Sequence, residues 1–362
     1  MQQTVESNKT LLVDGPASVC VISGKAEMFD YQLKQAVKIV VREGKRLPFF
    51  VLEKAVFDVS LGPNASIEEV EGSTIPESWN KPLEAILSIQ GKPVVVLLLG
   101  KTDSGKSSYC TYLVNKLVNE KCRVALLDGD LGQSDIGPSG TVGYAVTSKP
   151  IPELYNLKLH NAFFVGVTSP INAMAKTIEG LAAMKAEILQ RPIDFVVVNT
   201  DGWVTGDIAV SYKTQLVEAL KPDIIVGVQV EDELRPLVAY LDNTAVILVE
   251  PSSSLNQRSA EKRKSLREMT YAKYMKDAKL QCYPLSQVTT EPKDGLPKDQ
   301  EPEKGLLVGL YDSGSKFLGI GVLREINHLR KALKVQTAIS AKPQRLVFGK
   351  IILNEKLQEI QD

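Results

Sequence analysis

Val94-Val95-Val96-Leu97-Leu98-Leu99-Gly100-Lys101-Thr102-Asp103-Ser104-Gly105-Lys106-Ser107-Ser108 is the stretch whose reading decides the fold. Its first six residues are an unbroken apolar run led by β-branched valines, the composition of a strand buried on both faces. Downstream, Leu113, Val114, Leu117 and Val118 recur at helical spacing, so the chain leaves the glycine-containing loop as a helix. Between strand and helix lies GxxxxGK[ST], Gly100 to Ser107. In that context the motif predicts a phosphate cradle, because glycines let successive N–H groups face an anion and the new helix adds its positive end. Lys106 is then expected at the β- and γ-phosphates, and the Ser107 hydroxyl at Mg²⁺. Gly100, Lys101, Thr102, Asp103, Ser104, Gly105 and Ser108 complete the loop that would hold ATP, GTP or another nucleoside triphosphate.

Outward from this loop, residues 92 to about 250 alternate strand and helix. Val124–Leu127, Ala162–Val167, Phe195–Val198, Ile224–Val228 and Ala245–Val249 are apolar runs of strand length. Asn172–Gln190, Ile208–Leu220 and Asp232–Tyr240 carry helical periodicity. That alternation predicts an α/β P-loop NTPase core, a mostly parallel sheet sandwiched by helices, with ligands beyond the carboxyl ends of the strands. Short β segments separated by turn signals occupy residues 1–76 and 305–362, and read as small N-terminal and C-terminal β domains. The expected partition is a β domain over 1–76, a P-loop domain over 77–283 with a basic helix at about 252–280, a proline-bearing linker over 284–304, and a β domain over 305–362.

Composition narrows the class. The 362 residues are 44% hydrophobic and 24% charged, ordinary for a globular protein, and Lys+Arg equals Asp+Glu at 43 each. No global basic field advertises nucleic-acid binding, so any basic surface is local. Four cysteines without CxxC spacing, Cys110 and Cys122 reading as core thiols, fit a reducing compartment. With no secretory signal and no run of membrane-spanning length, the expectation is a cytoplasmic protein without membrane partners. His160 and His328 stand apart, which argues against a histidine triad or a zinc site.

The strand ends supply the chemistry. Asp128-Gly129-Asp130-Leu131-Gly132-Gln133 follows the strand after the P-loop helix. Residues two apart on an extended chain point to opposite sides. One assignment places Asp128 in the Mg²⁺ shell and Asp130 as acceptor of the proton from an incoming hydroxyl. The spacing leaves the two roles exchangeable. The polar loop from Gln133 to Thr141 reads equally as a phosphate contact or as a connector. Asn199-Thr200-Asp201-Gly202-Trp203-Val204-Thr205-Gly206 puts a tryptophan among polar and small residues, where its flat face offers a nucleobase about 1–3 kcal/mol of stacking. Arg263 and Arg267 share one helix face at i and i+4. Such a face is either a solvated charged surface or a lid whose arginines neutralise a transferring phosphoryl group.

Four motifs in this order, the P-loop Gly100–Ser107, the DxDxGQ run Asp128–Gln133, the TxGW run Thr200–Trp203 and the RxxxR run Arg263–Arg267, resemble the RNA-processing polynucleotide 5′-hydroxyl kinase family, especially its compact archaeal members. The β–P-loop–β layout extends the resemblance over most of the chain. It implies transfer of the γ-phosphate of ATP to the 5′-hydroxyl of RNA, or of DNA, with RNA-processing proteins as further partners. It also implies that Thr200, Gly202 and Trp203 clasp the substrate end, that Gln133 lies on the substrate side, and that Asp130 activates the hydroxyl. Arg263 and Arg267 would approach the phosphates from a lid. The N-terminal β domain would help bind the base. Lys101 departs from the pattern, since it stands where dimerising deviant-Walker ATPases carry a signature lysine. An ATPase switch and a non-catalytic ATP-binding scaffold are therefore the competing expectations.

Overall fold

The computed structural model describes residues 1–241, 244–255, 257–291, 303–327 and 329–360. The chain forms two compact units, one of Met1–Leu126, Val146–Lys158 and Ile188–Lys262, the other of Leu127–Ala145, Leu159–Glu187 and Arg263–Asp362. These units cut across the sequential partition. The N-terminal strands share a unit with the P-loop, and the residues after Leu126 fall with the C-terminal strands.

In the first unit, the strands between Gln2 and Glu71 pair antiparallel in a single sheet. Where short β segments were expected, Arg46–Leu61 is one strand of 16 residues. Its charged residues Glu53 and Lys54 do not break the ladder, because both are exposed to solvent there. Glu53 there pairs with Lys25 of the facing strand. A second layer is parallel. Phe195–Asn199, Val94–Leu99, Ile224–Val228 and Ala245–Val249 lie side by side in that order. The first three are buried along their whole length, which is why they read as continuous apolar runs rather than alternating ones. Lys106–Asn119 is buried nearly all round, as a central helix must be. The helix expected over Asp232–Tyr240 is only Arg235–Val238. Glu233 there accepts the N–H groups of Val230 and Glu231, folding the preceding residues into a turn instead.

Two expectations change in the second unit. Ala162–Val167 was expected to be a parallel strand reached by a helix. It is Asn161–Phe164, and it runs antiparallel to an unanticipated strand, Thr141–Thr147, in the register Thr141↔Phe164. A parallel neighbour needs a helical crossover, and the connection here holds only the single turn Leu154–Asn156. The basic helix runs Ala260–Tyr274 and does not reach Leu280. Asp277 adopts a left-handed φ of 62°, and Lys279–Pro284 then forms a strand paired with Ala332–Thr337. Proline is tolerated there because the strand lies at the sheet's edge. The C-terminal sheet therefore begins before the segment expected to be a linker, of which residues 292–302 lie outside the described residues. One face of this sheet packs Leu307, Ile320, Val322 and Val347 against Phe164, Tyr271 and Met275. No helix among the described residues is long and apolar enough to cross a membrane.

Candidate functional site

The P-loop is built as its glycines require. Gly105 caps the helix with φ 93°, a left-handed conformation that costs glycine nothing. Lys106 is buried and its ammonium donates to the carbonyls of Gly100 (2.7 Å) and Lys101 (2.8 Å), so the loop wraps around one positive charge. Ser104 Oγ is buried without a hydrogen-bond partner. A buried hydroxyl left unsatisfied costs free energy, and an anionic oxygen in the loop would satisfy it. Ser107 and Ser108 are partly exposed in the first turn of the helix.

Two P-loop side chains have specific partners. Asp103, at φ 59°, accepts from Arg258 Nε (2.7 Å) and from the Arg258 backbone N–H (3.1 Å). Its carboxylate thus clamps the loop to the segment before the basic helix. Lys101 faces Glu233 of its own chain at 3.9 Å.

The TxGW run packs on this loop. A Cβ added at Gly202 would stand 2.4 Å from both the N and Oγ1 of Thr102, so only glycine permits the approach. Trp203 is half-buried, with its ring stacked on Tyr212 at 5.8 Å and 25°. Asp201 organises the turn by accepting from Trp203 N (3.0 Å) and from Tyr212 Oη (3.2 Å). It also binds the fully buried Lys213 ammonium at 2.8 Å. Thr200, expected at the substrate, is fully buried and donates its hydroxyl to Leu98 O at 2.7 Å, tying the run to the P-loop strand.

The second unit holds the other two motifs. Asp128 is fully buried, accepting from Asp130 N (3.2 Å), Ser134 Oγ (3.0 Å) and Asp135 N (2.9 Å). Burial, then the neighbouring charges of Asp130 and Asp135, push its carboxyl up to about 7. Asp130 is partly exposed, and its Oδ1 accepts from Gly132 N (3.1 Å) and Gln133 N (2.9 Å). Gln133 Nε2 donates to Arg263 O at 3.1 Å, so the acidic loop is stitched to the first turns of the basic helix. Ser139 meets Thr270 at 3.1 Å and Tyr274 Oη donates to Ile136 O, repeating the stitch further along. Arg267, expected on the lid, has its guanidinium held bidentately by Glu359, Nε to Oε1 at 2.7 Å and Nη2 to Oε2 at 2.6 Å. Burial disfavours its charge, but the Glu359 bonds outweigh that and hold it above the usual arginine range.

The motifs therefore fall in two groups. The first unit joins P-loop, TxGW run and Arg258; the second joins the DxDxGQ loop and the RxxxR helix. Arg258, Lys213, Tyr212 and Glu359 were not anticipated. Lys213 had a signal, since it interrupts the apolar stripe Ala209, Tyr212, Leu216, Leu220 and so had to find a buried acid. Glu359 had none. Among the described residues no cluster of three or more His, Cys, Asp or Glu is arranged as a metal cage. The four cysteines are free, Cys110 buried but Cys122 only partly so. His160 stacks on Tyr144, and His328 lies outside the described residues.

Residues 100–277 match the family model described as the mRNA cleavage and polyadenylation factor CLP1 P-loop. The chain is 27% identical over 342 residues to the polyribonucleotide 5′-hydroxyl-kinase of Methanocaldococcus jannaschii, covering 79% of this chain and 94% of that protein. It is 28% identical over 338 residues to the protein of the same name from Thermococcus kodakarensis, covering 79% and 95%. A chain of the wild-type Clp1p–Pcf11p complex superposes with a TM-score of 0.79 over 97% of both chains at 12% identity, a likeness of fold.

Proposed function

We propose that the protein, whose residues 100–277 match the CLP1 P-loop family model, is an ATP-dependent polynucleotide 5′-hydroxyl kinase acting on RNA. The observation that carries the reading is the packing of Gly202 on Thr102, which seats a half-buried tryptophan beside the loop that holds the phosphate donor. A nucleotide hydrolase has no need of an aromatic platform there. A kinase for a nucleic-acid end does.

In the proposed reaction the P-loop N–H groups and Lys106 bind the β- and γ-phosphates. Trp203, braced by Tyr212, stacks the terminal base. Asp130 takes the proton of the 5′-hydroxyl as the O5′–Pγ bond forms and the bond from Pγ to the bridging oxygen breaks, leaving ADP. The basic helix supplies positive charge to the transferring group through Arg263. Ser107 and Asp128 are the residues that would hold Mg²⁺, which supplies charge neutralisation on the triphosphate when bound. The donor set fits that ion. Mg²⁺ keeps several waters and takes one or two protein oxygens plus substrate phosphates, so no protein cage is needed. A buried carboxyl pressed by two neighbouring acids gains from a nearby cation.

The test is a labelling assay with γ-labelled ATP, Mg²⁺ and 5′-hydroxyl oligonucleotides of equal sequence in RNA and DNA. RNA should be labelled, and Asp130→Asn should abolish labelling while ATP still binds. Labelling by Asp130→Asn at the wild-type rate removes Asp130 as the base. ATP hydrolysis without any labelling of RNA removes the kinase reading.

A further inference from the structure

We propose that the two arginines of the RxxxR run have different jobs: Arg263 meets the transferring phosphoryl group, while Arg267 is a positioning residue, tethered to Glu359, that fixes the helix on which Arg263 rides. This deepens the kinase reading and rests on it.

The tether begins in the C-terminal segment. After the strand Arg345–Ile352 the chain reverses tightly, with Leu353 bridged to Glu359 and Leu357 in a left-handed φ of 62°. Asn354 Oδ1 drives the reversal by accepting from Lys356 N (2.8 Å) and Gln358 N (3.0 Å), and Ile360 N closes it on Ile352 O at 2.9 Å. Glu359 is thereby delivered to the basic helix. Both its oxygens take the Arg267 fork, Tyr271 Oη donates to Oε1 at 3.1 Å, and the Glu359 backbone N–H donates to Glu268 Oε1 at 3.0 Å. The Arg267 and Glu359 side chains are only 18% and 10% exposed.

With its Nε–Nη2 edge taken by Glu359, the guanidinium can turn that fork to a phosphate only by abandoning its carboxylate. That departure would strand a nearly buried Glu359 beside Glu268, and an uncompensated buried charge is among the costliest defects a fold can carry. Arg267 therefore stays, and its local field is cancelled. Arg263 lies one turn earlier, partly exposed, with its own carbonyl bound by Gln133. Gln133, Ser139 and Tyr274 bind the helix to the loop that carries Asp130, and Glu359 binds it to the last sheet. The arginine helix and the acidic loop consequently form one body, and Arg263 keeps a fixed relation to Asp130.

The experiment uses the full chain. Wild-type protein must first label 5′-hydroxyl RNA; failure there overturns the kinase reading and the division of labour that rests on it, whereas a wild type that labels and variants that break the order below overturn the division alone. The series is then Glu359→Gln, Arg267→Glu, the exchange Arg267→Glu with Glu359→Arg, and Arg263→Ala. Loosening the helix should lower kcat by about tenfold or more in Glu359→Gln while the KM for ATP changes little, because misplacement of about 1 Å costs rate rather than binding. The exchange should recover most of the kcat lost in Arg267→Glu, since a reversed pair still tethers. Arg263→Ala should stay impaired whatever stands at 267 and 359. An exchange variant that folds yet remains as slow as Arg267→Glu overturns the proposal, as does Glu359→Gln at the wild-type kcat. If the exchange does not fold, the neutral pair Arg267→Gln with Glu359→Gln decides: kcat well above that of Arg263→Ala supports the tether, and kcat equal to it overturns the division of labour.

Discussion

Lys213→Met is the perturbation with the largest expected effect away from the phosphates. The Lys213 side chain is 0% exposed, and its ammonium binds Asp201 Oδ2 at 2.8 Å and Asp201 O at 3.1 Å. Methionine keeps most of the stem's volume but leaves the Asp201 carboxylate, itself 8% exposed, without its cation. Removing one partner of a buried pair costs about 3–5 kcal/mol. Asp201 retains two donors, Trp203 N and Tyr212 Oη, so the expected loss lies near the lower bound, about 3 kcal/mol. Adding Asp201→Asn removes the stranded charge while its amide oxygen still accepts from Trp203 N and its NH2 group can donate to Tyr212 Oη, a hydroxyl that can accept. The double variant should therefore recover about 1–2 kcal/mol over Lys213→Met alone. Urea unfolding followed by tryptophan fluorescence reports on this directly, because both tryptophans of the chain, Trp79 and Trp203, lie in the first unit. Stability of Lys213→Met within about 0.5 kcal/mol of wild type, or a double variant weaker than the single, would refute the argument from buried charge.

Trp203→Ala should raise the KM for RNA about tenfold, in keeping with the stacking energy of one base, and leave ATP affinity nearly intact; unchanged RNA affinity would reduce Trp203 to a packing partner of Tyr212. Arg258→Ala frees Asp103 from the two-pronged bond that holds its left-handed backbone, so ATP should bind about tenfold more weakly by calorimetry, and an unaltered Kd would remove Arg258 from the donor site. Gly202→Ala forces a methyl group against Thr102 backbone, so ATP binding should fall together with about 1–3 kcal/mol of stability; a variant that is both stable and nucleotide-competent would contradict the described contact.

The elements read best from sequence were those whose cause is local. Val94–Leu99 and Ile224–Val228 announce buried parallel strands because every residue is apolar, and the P-loop announces itself because glycine and lysine spacing follows from the cradle they make. Thr141–Thr147 was missed because its alternation is interrupted by Gly143 and follows a polar loop. Its partner Asn161–Phe164 was then assigned the wrong direction, since direction depends on what connects two strands rather than on either one. The site shows the same division. Motif spacing singles out Asp103, Asp128 and Trp203 as candidates, but does not say what each side chain binds. Asp103 meets Arg258 across 155 positions and Arg267 meets Glu359 across 92, separations at which no local pattern survives. The partner of Thr200 was hidden for a related reason: its hydroxyl bonds Leu98 on a neighbouring strand, a contact only the sheet order creates.

The approach of Gly202 to Thr102 has a thermodynamic corollary. Backbones in van der Waals contact share their fluctuations, so a nucleotide that quiets the Thr102 segment also quiets the segment bearing Trp203. The first substrate to arrive thus meets part of the ordering cost of the second. Coupling of this kind is reciprocal: by whatever factor ATP tightens RNA, RNA tightens ATP. Equal ATP dissociation constants with and without RNA would sever that link.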